Sequence, residues 1–167
     1  MRRLIILLFI GSLSQLAIAD TLYQKPEAYL QETFAAAVPP ASALWLDAAT
    51  QDQINKILGH PYPQARIRYW RDQAKTVWIL EEVGKEFPIT AGFTISNNHI
   101  VDTRVLIYRE SRGDEIHFPS SLKQFEGIYL DKDKLSGNID SITGATLSVT
   151  AMRKMAQLAL MLNALPK

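Results

Sequence analysis

The chain has 167 residues, 47% apolar, 21% charged and 9% aromatic, which is enough for one domain with a short appendage and too little for two. It contains no cysteine, and this excludes disulfides, thiolate zinc sites, cysteine-ligated iron–sulfur clusters, thioether-linked haem and thiol nucleophiles. The formal charge is +1, and the basic residues are scattered, so no electrostatic footprint for nucleic acid is present.

Met1-Arg2-Arg3 is a short positive segment, residues 4–10 are an unbroken apolar run, and Ala17-Ile18-Ala19 is a small-x-small site before Asp20. This three-part pattern reads as a secretory signal peptide over residues 1–19, cleaved to leave an exported domain. The alternative is a retained membrane anchor. Against it, residues 4–19 are short beside the ~20 apolar residues that span a bilayer, and Ser12, Ser14 and Gln15 dilute them. Cleavage removes Arg2 and Arg3 and turns the formal charge from +1 to −1.

Residues 26–38 place Tyr29, Leu30, Thr33, Phe34 and Ala37 at helical intervals, with a tolerated early proline and Pro39-Pro40 as a stop. A second helix is expected over residues 48–58, with Asp47 as its cap, Ile54, Ile57 and Leu58 as its stripe, and Gly59 and Pro61 at its end. Residues 65–71, 76–82, 87–96 and 99–109 are rich in Val, Ile, Thr, Tyr and Trp and alternate in part, as half-buried strands do. Asn97-Asn98 between two of them predicts a tight hairpin turn, because asparagine tolerates positive φ. Near the C-terminus Leu147, Ala151, Met155, Leu158 and Leu162 share one helical face, and Thr150, Arg153, Lys154 and Gln157 share the other. The fold class is therefore α+β: a twisted antiparallel sheet packed by helices. Residues 20–74 are read as an N-terminal helical extension packed on a domain formed by residues 75–167.

Residues 140–148 read Asp-Ser-Ile-Thr-Gly-Ala-Thr-Leu-Ser, a hydroxyl-rich run where the chain turns into that last helix. Free N–H groups in the first turn, at Thr146, Leu147 and Ser148, together with the positive end of the helix dipole, favour a phosphate there. Gly144 and Ala145 allow close approach, and Thr143, Thr146 and Ser148 carry hydroxyls that can bond phosphate oxygens. Ser, Thr and Asp before a helix are also ordinary caps, so the composition alone leaves a structural reading open.

The order of residues 140–146 resembles the flavinylation motif of the FMN-binding domain family: Asp, two residues, Ser or Thr, Gly, Ala, then Ser or Thr. That family includes the C subunit of the sodium-pumping NADH:quinone reductase and the G subunit of the Rnf electron-transport complex. The resemblance implies FMN joined by a phosphoester to Thr146, made from FAD by a separate exported flavin transferase that needs a divalent metal. It implies that Asp140, Ser141, Thr143, Gly144 and Ala145 form the recognition and phosphate loop. Pro88-Ile89-Thr90-Ala91-Gly92, the Asn97-Asn98 hairpin, the strand running into Glu110-Ser111-Arg112-Gly113, and Phe118 to Gly127 extend the likeness to about residues 75–163. The family's Glu-Thr-Pro-Gly stands here as Glu110-Ser111-Arg112-Gly113, and its membrane helix is replaced by a segment that resembles a cleavable signal. The resemblance thus implies a periplasmic FMN-dependent electron carrier, with a cytochrome or a membrane-bound reductase as its partner, rather than a substrate-specific enzyme. Other readings of the same helix start are a non-redox module holding an anionic ligand or partner, and a reductase with non-covalent flavin.

No residue near Thr146 in sequence makes a nucleophile-activating arrangement, so activation of its hydroxyl falls to the transferase. Glu110, at a strand end, is expected to cap the flavin loop or hold its backbone, with an ion pair to Arg109 or Arg112 as the alternative. Glu81, Glu82 and Glu86 are expected to be solvated on a strand edge or turn, with an acid pair as the alternative. Trp45, Trp70 and Trp78 are expected in the core, with stacking on a flavin ring as the alternative. His60, His99 and His117 lack metal-ligand spacing, and residues 131–134 are expected to form a solvated turn.

Overall fold

The four alternating β-branched segments between residues 66 and 108 pair in chain order because each is joined to the next by a connection short enough to reverse the chain. The computed structural model describes residues 20–35 and 37–165, so the proposed signal segment 1–19 lies outside the described residues. Six antiparallel strands form one sheet: β1 (Thr21–Leu22) edges β6 (His99–Tyr108), followed by β5 (Pro88–Ser96), β4 (Thr76–Val83), β3 (Arg66–Arg71) and β2 (Ser42–Trp45). The expected α+β architecture is the one observed. Residues 20–74 supply β1, β2 and β3 to the same sheet that carries β4 to β6. Asn97 and Asn98 take φ of 49° and 61° between the paired Ser96 and His99, the two positive-φ positions of a two-residue hairpin turn.

The two faces are covered unequally. Trp78 and Leu80 on β4 face the main core beneath α4 (Thr146–Ala164), which packs on β4 and β5. Ala151, Met155, Leu158 and Leu162 of the predicted stripe are all buried, but Leu147, the first of them, is 50% exposed because it lies beyond the sheet at the helix start. Helix α2 (Ala48–Leu58) packs on α4 and begins and ends as its caps dictate: Asp47 accepts from the Thr50 N–H, and Gly59 takes φ 85°. Helix α1 (Pro26–Phe34) covers the opposite face with Tyr29, Leu30 and Phe34, and the short helix α3 (Pro119–Leu122) lies between β6 and β7 in the chain. Tyr29 lies flat against Gly92, where an added Cβ would stand 2.3 Å from the ring, so this strand position has room only for glycine.

The structure corrects several expectations. Helix α1 stops at Phe34, short of Val38; Ala35 leaves helical geometry at φ 48°, and Ala37 is exposed. The proline pair restricts the residue before it to extended backbone, so the helix cannot run up to Pro39. Trp45 is 66% exposed on the edge strand β2, beneath the Arg66 guanidinium, while Trp78 is fully buried and Trp70 half-buried. Glu82 is buried rather than solvated, because alternation along β4 places it on the Trp78 and Leu80 face. Its carboxylate pairs with Lys154 Nζ at 3.1 Å and His60 Nε2 at 3.0 Å. Residues 131–134 form the exposed turn expected of them, which closes a small hairpin of β7 (Leu130–Asp131) and β8 (Lys134–Leu135). Among the described residues, no helix is long and apolar enough to cross a membrane.

Candidate functional site

The segment entering α4 is held from beneath and open above. Ile139 and Ala145 are buried and Ile142 half-buried, so apolar side chains fasten the loop to the core. The Ala145 N–H donates to the Ile142 carbonyl at 2.9 Å, closing a turn whose third residue, Gly144, has φ 87°. That conformation is the reason for glycine there. Nothing lies within 4 Å of a Cβ built on Gly144, so its outer side faces open space. Asp140 anchors the loop sideways: its N–H donates to Gln124 Oε1 at 2.7 Å, and its carboxylate accepts from Asn138 Nδ2 at 2.9 Å.

Helix α4 begins with no side-chain cap and no acidic residue in its first turn. Its first bond to the cap residue runs from the Val149 N–H to the Ala145 carbonyl at 2.9 Å. The N–H groups of Thr146, Leu147 and Ser148 precede that bond and have no acceptor within the helix. They stand at the positive end of a 19-residue helix dipole. Ser141, Thr143, Gly144, Thr146 and Leu147 are exposed around this opening. These motif residues are thus open to solvent at the end of the helix whose first N–H groups have no intrahelical acceptor.

Ser148 is placed differently. Its side chain is buried, and its Oγ lies 2.8 Å from the Tyr108 hydroxyl at the end of β6. The Tyr108 O–H donates to the Arg112 carbonyl at 2.6 Å. A phenol has one proton, so Ser148 is the donor to Tyr108, and its hydroxyl is engaged inward rather than offered to a phosphate. Burial raises the Tyr108 pKa, the Ser148 bond works against that, and the charges of Glu110, Asp114 and Glu115 add to the rise. The phenol thus keeps the proton that it donates. Gly113, at φ 86°, fits beneath the helix start, where an added Cβ would lie 2.9 Å from Ser148 Oγ and 3.2 Å from Ala145 Cα. In the sequence Tyr108 reads as one more strand residue. The signal that marks it is a tyrosine at a strand end, whose buried ring must still find a partner for its hydroxyl.

Glu110 caps a loop, but not the one expected. Its Oε1 accepts from the N–H groups of Lys85, Glu86 and Phe87 at 2.5, 2.7 and 3.0 Å, and so holds the β4–β5 turn. It makes no ion pair with Arg109, which reaches Asp20 and Glu81 instead. Burial pushes the Glu110 pKa up, but the three backbone donors and Lys85 outweigh it and hold the carboxyl below the ordinary 4.5. A depressed carboxylate contributes stability that is present above the unfolded value and is lost as pH falls through the folded one. Glu110→Ala should therefore lower stability by about 1 kcal/mol at pH 7, after solvent screening of the half-exposed group. The difference from wild type should close below pH 4 in denaturant titrations; a constant difference down to pH 2 would remove the carboxylate from the explanation.

Residues 84–161 match the family model described as the FMN-binding domain. This segment is an FMN-binding domain. FMN is its cofactor. No curated protein and no solved structure matches the chain. The matched FMN-binding domain spans β5, β6, the loop of residues 140–145 and most of α4, whereas Tyr23, Tyr29 and His60 lie outside it.

The residues present fit the phosphate of FMN. An uncapped 19-residue helix, a glycine turn open on its outer side, and an exposed threonine at the first helical position offer N–H and hydroxyl donors from which a phosphate would accept. The tryptophans do not join it: Trp78 is sealed in the core, and Trp45 and Trp70 sit on β2 and β3, at the end of the sheet away from β6. The histidines are also dispersed, His60 on Glu82, His99 beside Tyr129 and His117 stacked on Tyr23 with ring centroids 4.0 Å apart.

Proposed function

We propose that this chain is an exported electron-transfer protein whose FMN is attached covalently to Thr146 by a separate flavin transferase. The observation that carries this reading is the position of Thr146: an exposed hydroxyl residue at the first position of an uncapped helix, closing the run Asp140-Ser141-Ile142-Thr143-Gly144-Ala145-Thr146. In the attachment step the Thr146 hydroxyl oxygen bonds to the FMN phosphorus of FAD. The bond from that phosphorus to the bridging oxygen breaks, AMP leaves with that oxygen, and the hydroxyl proton is released. No electrons change hands. The protein's part is to hold the anionic phosphodiester against the N–H groups of Thr146, Leu147 and Ser148 and to keep the loop open. The bound flavin supplies reversible uptake and release of electrons.

A covalent link suits an exported carrier, because a cofactor held only by affinity is lost wherever the free ligand is dilute. The apolar segment 4–10 behind Arg2-Arg3 and the site before Asp20 support delivery to the periplasm. The partner is a cytochrome or a membrane-bound reductase. Co-expression with an active flavin transferase should add about 440 Da to the mature chain, and N-terminal sequencing should begin at Asp20. An unchanged mass beside an active transferase would sink covalent attachment. A yellow protein that loses its colour on denaturation would indicate the non-covalent form.

A further inference from the structure

We infer that Tyr108 is the positioning residue of the flavin site: its hydroxyl bolts the first turn of α4 to the loop after β6, and so sets the aim of Thr146 and of the phosphate donors. This inference rests on the reading of Thr146 as the attachment point, and its own test is separable from that reading. Tyr108 is buried, and its one oxygen makes two bonds with a forced direction, giving a proton to the Arg112 carbonyl at 2.6 Å and receiving one from Ser148 at 2.8 Å. Three pieces of chain meet there: the end of β6, residues 109–113, and the helix start. Gly113 packs closely against this junction, since a Cβ on it would lie 3.0 Å from the Tyr108 hydroxyl and 2.9 Å from Ser148 Oγ.

The consequence for Thr146 follows from helix geometry. Ser148 stands two residues after Thr146, so the side chains of the two point to different sides of the helix. Locking Ser148 inward turns Thr146 outward, as its exposure shows. The same lock keeps the Ser148 hydroxyl away from local backbone acceptors, with which a serine in a helix otherwise bonds. No side chain caps this helix, so the bolt adds to the apolar anchoring of the loop and leaves the first-turn N–H groups free.

Tyr108→Phe removes both bonds and keeps the ring in the core, and Ser148→Ala removes one bond from the other side. With wild type, both variants and an active transferase supplied with FAD, flavin incorporation is followed by mass on chains confirmed as folded by circular dichroism. We expect kcat for transfer to fall about tenfold in each variant, because small misplacements of a reacting group carry penalties of that order. The KM for FAD should be unchanged, since the transferase holds FAD. The amide NMR signals of Thr146, Leu147 and Ser148 should also shift in Tyr108→Phe. Wild-type kcat in both folded variants would overturn the inference, even with thermal stability lowered, because a purely structural residue changes stability alone. If wild type itself accepts no flavin, covalent attachment falls, and the dissociation constant for free FMN becomes the readout. About tenfold weaker binding by Tyr108→Phe would support the positioning role, and equal binding would overturn it.

Discussion

Thr146→Ala should take up no covalent FMN, while Thr146→Ser, which keeps a hydroxyl at the same position, should still be modified. Thr146 is exposed, and the bond involving it that would persist in alanine is the one its carbonyl accepts from Thr150 Oγ1 at 2.9 Å. The alanine variant should therefore fold within ~0.5 kcal/mol of wild type. The mass increase of about 440 Da and the fluorescence of the denatured band should both disappear. Retention of the adduct in Thr146→Ala would place the attachment elsewhere in the hydroxyl-rich loop, with Thr143 and Ser141 as its exposed alternatives. The contrast between alanine and serine matters because it separates loss of the attachment oxygen from disturbance of the helix start.

Lys154→Met should give the largest loss of stability among the substitutions considered. Glu82 is 4% exposed, and Lys154 Nζ lies 3.1 Å from its Oε1, with His60 on its other oxygen at 3.0 Å. The same ammonium donates to the Leu58 carbonyl at 2.6 Å, and so ties α4 to the end of α2. Removing the cation leaves a carboxylate in the core with one partner, and breaking a buried pair in this way costs about 3 kcal/mol. The lower end of that range applies because Lys154 is partly open to water. Glu82→Gln in the same background should recover most of the loss, since it removes the charge that lacks its partner. Urea melts of the single and double variants decide the matter: no recovery would mean that Lys154 acts through packing of its stem instead.

Glu82 also shows why part of the molecule was hidden in the sequence. Glu81-Glu82 reads as two solvated acids, and alternation along β4 makes only one of them so. Which one is buried depends on where α4 lies, and α4 is 60 or more residues away in the chain. The edge strand β2 is hidden for a related reason. Residues 42–45 have little strand preference of their own and become a strand by pairing with β3. Tyr108 and Glu110 were legible as residue types but not as roles, since their partners, Ser148 and the backbone of residues 85–87, come from distant turns.

The sequence by itself determined the features that depend on neighbours along the chain: the capped helix of residues 48–58, the Asn97-Asn98 hairpin, the amphipathic C-terminal helix, the absence of thiol chemistry, and the likeness to the FMN-binding domain over residues that the family model matches. Local rules suffice there because backbone conformation, capping and periodicity act over a few residues. Only the tertiary structure decided which motif residues are free to meet a phosphate. It turned Thr146 outward and Ser148 inward, and it assigned Glu110 to the β4–β5 turn. These outcomes depend on hydrogen bonds between segments far apart in sequence, and a hydroxyl or carboxylate shows its role only once burial has limited the partners it can reach.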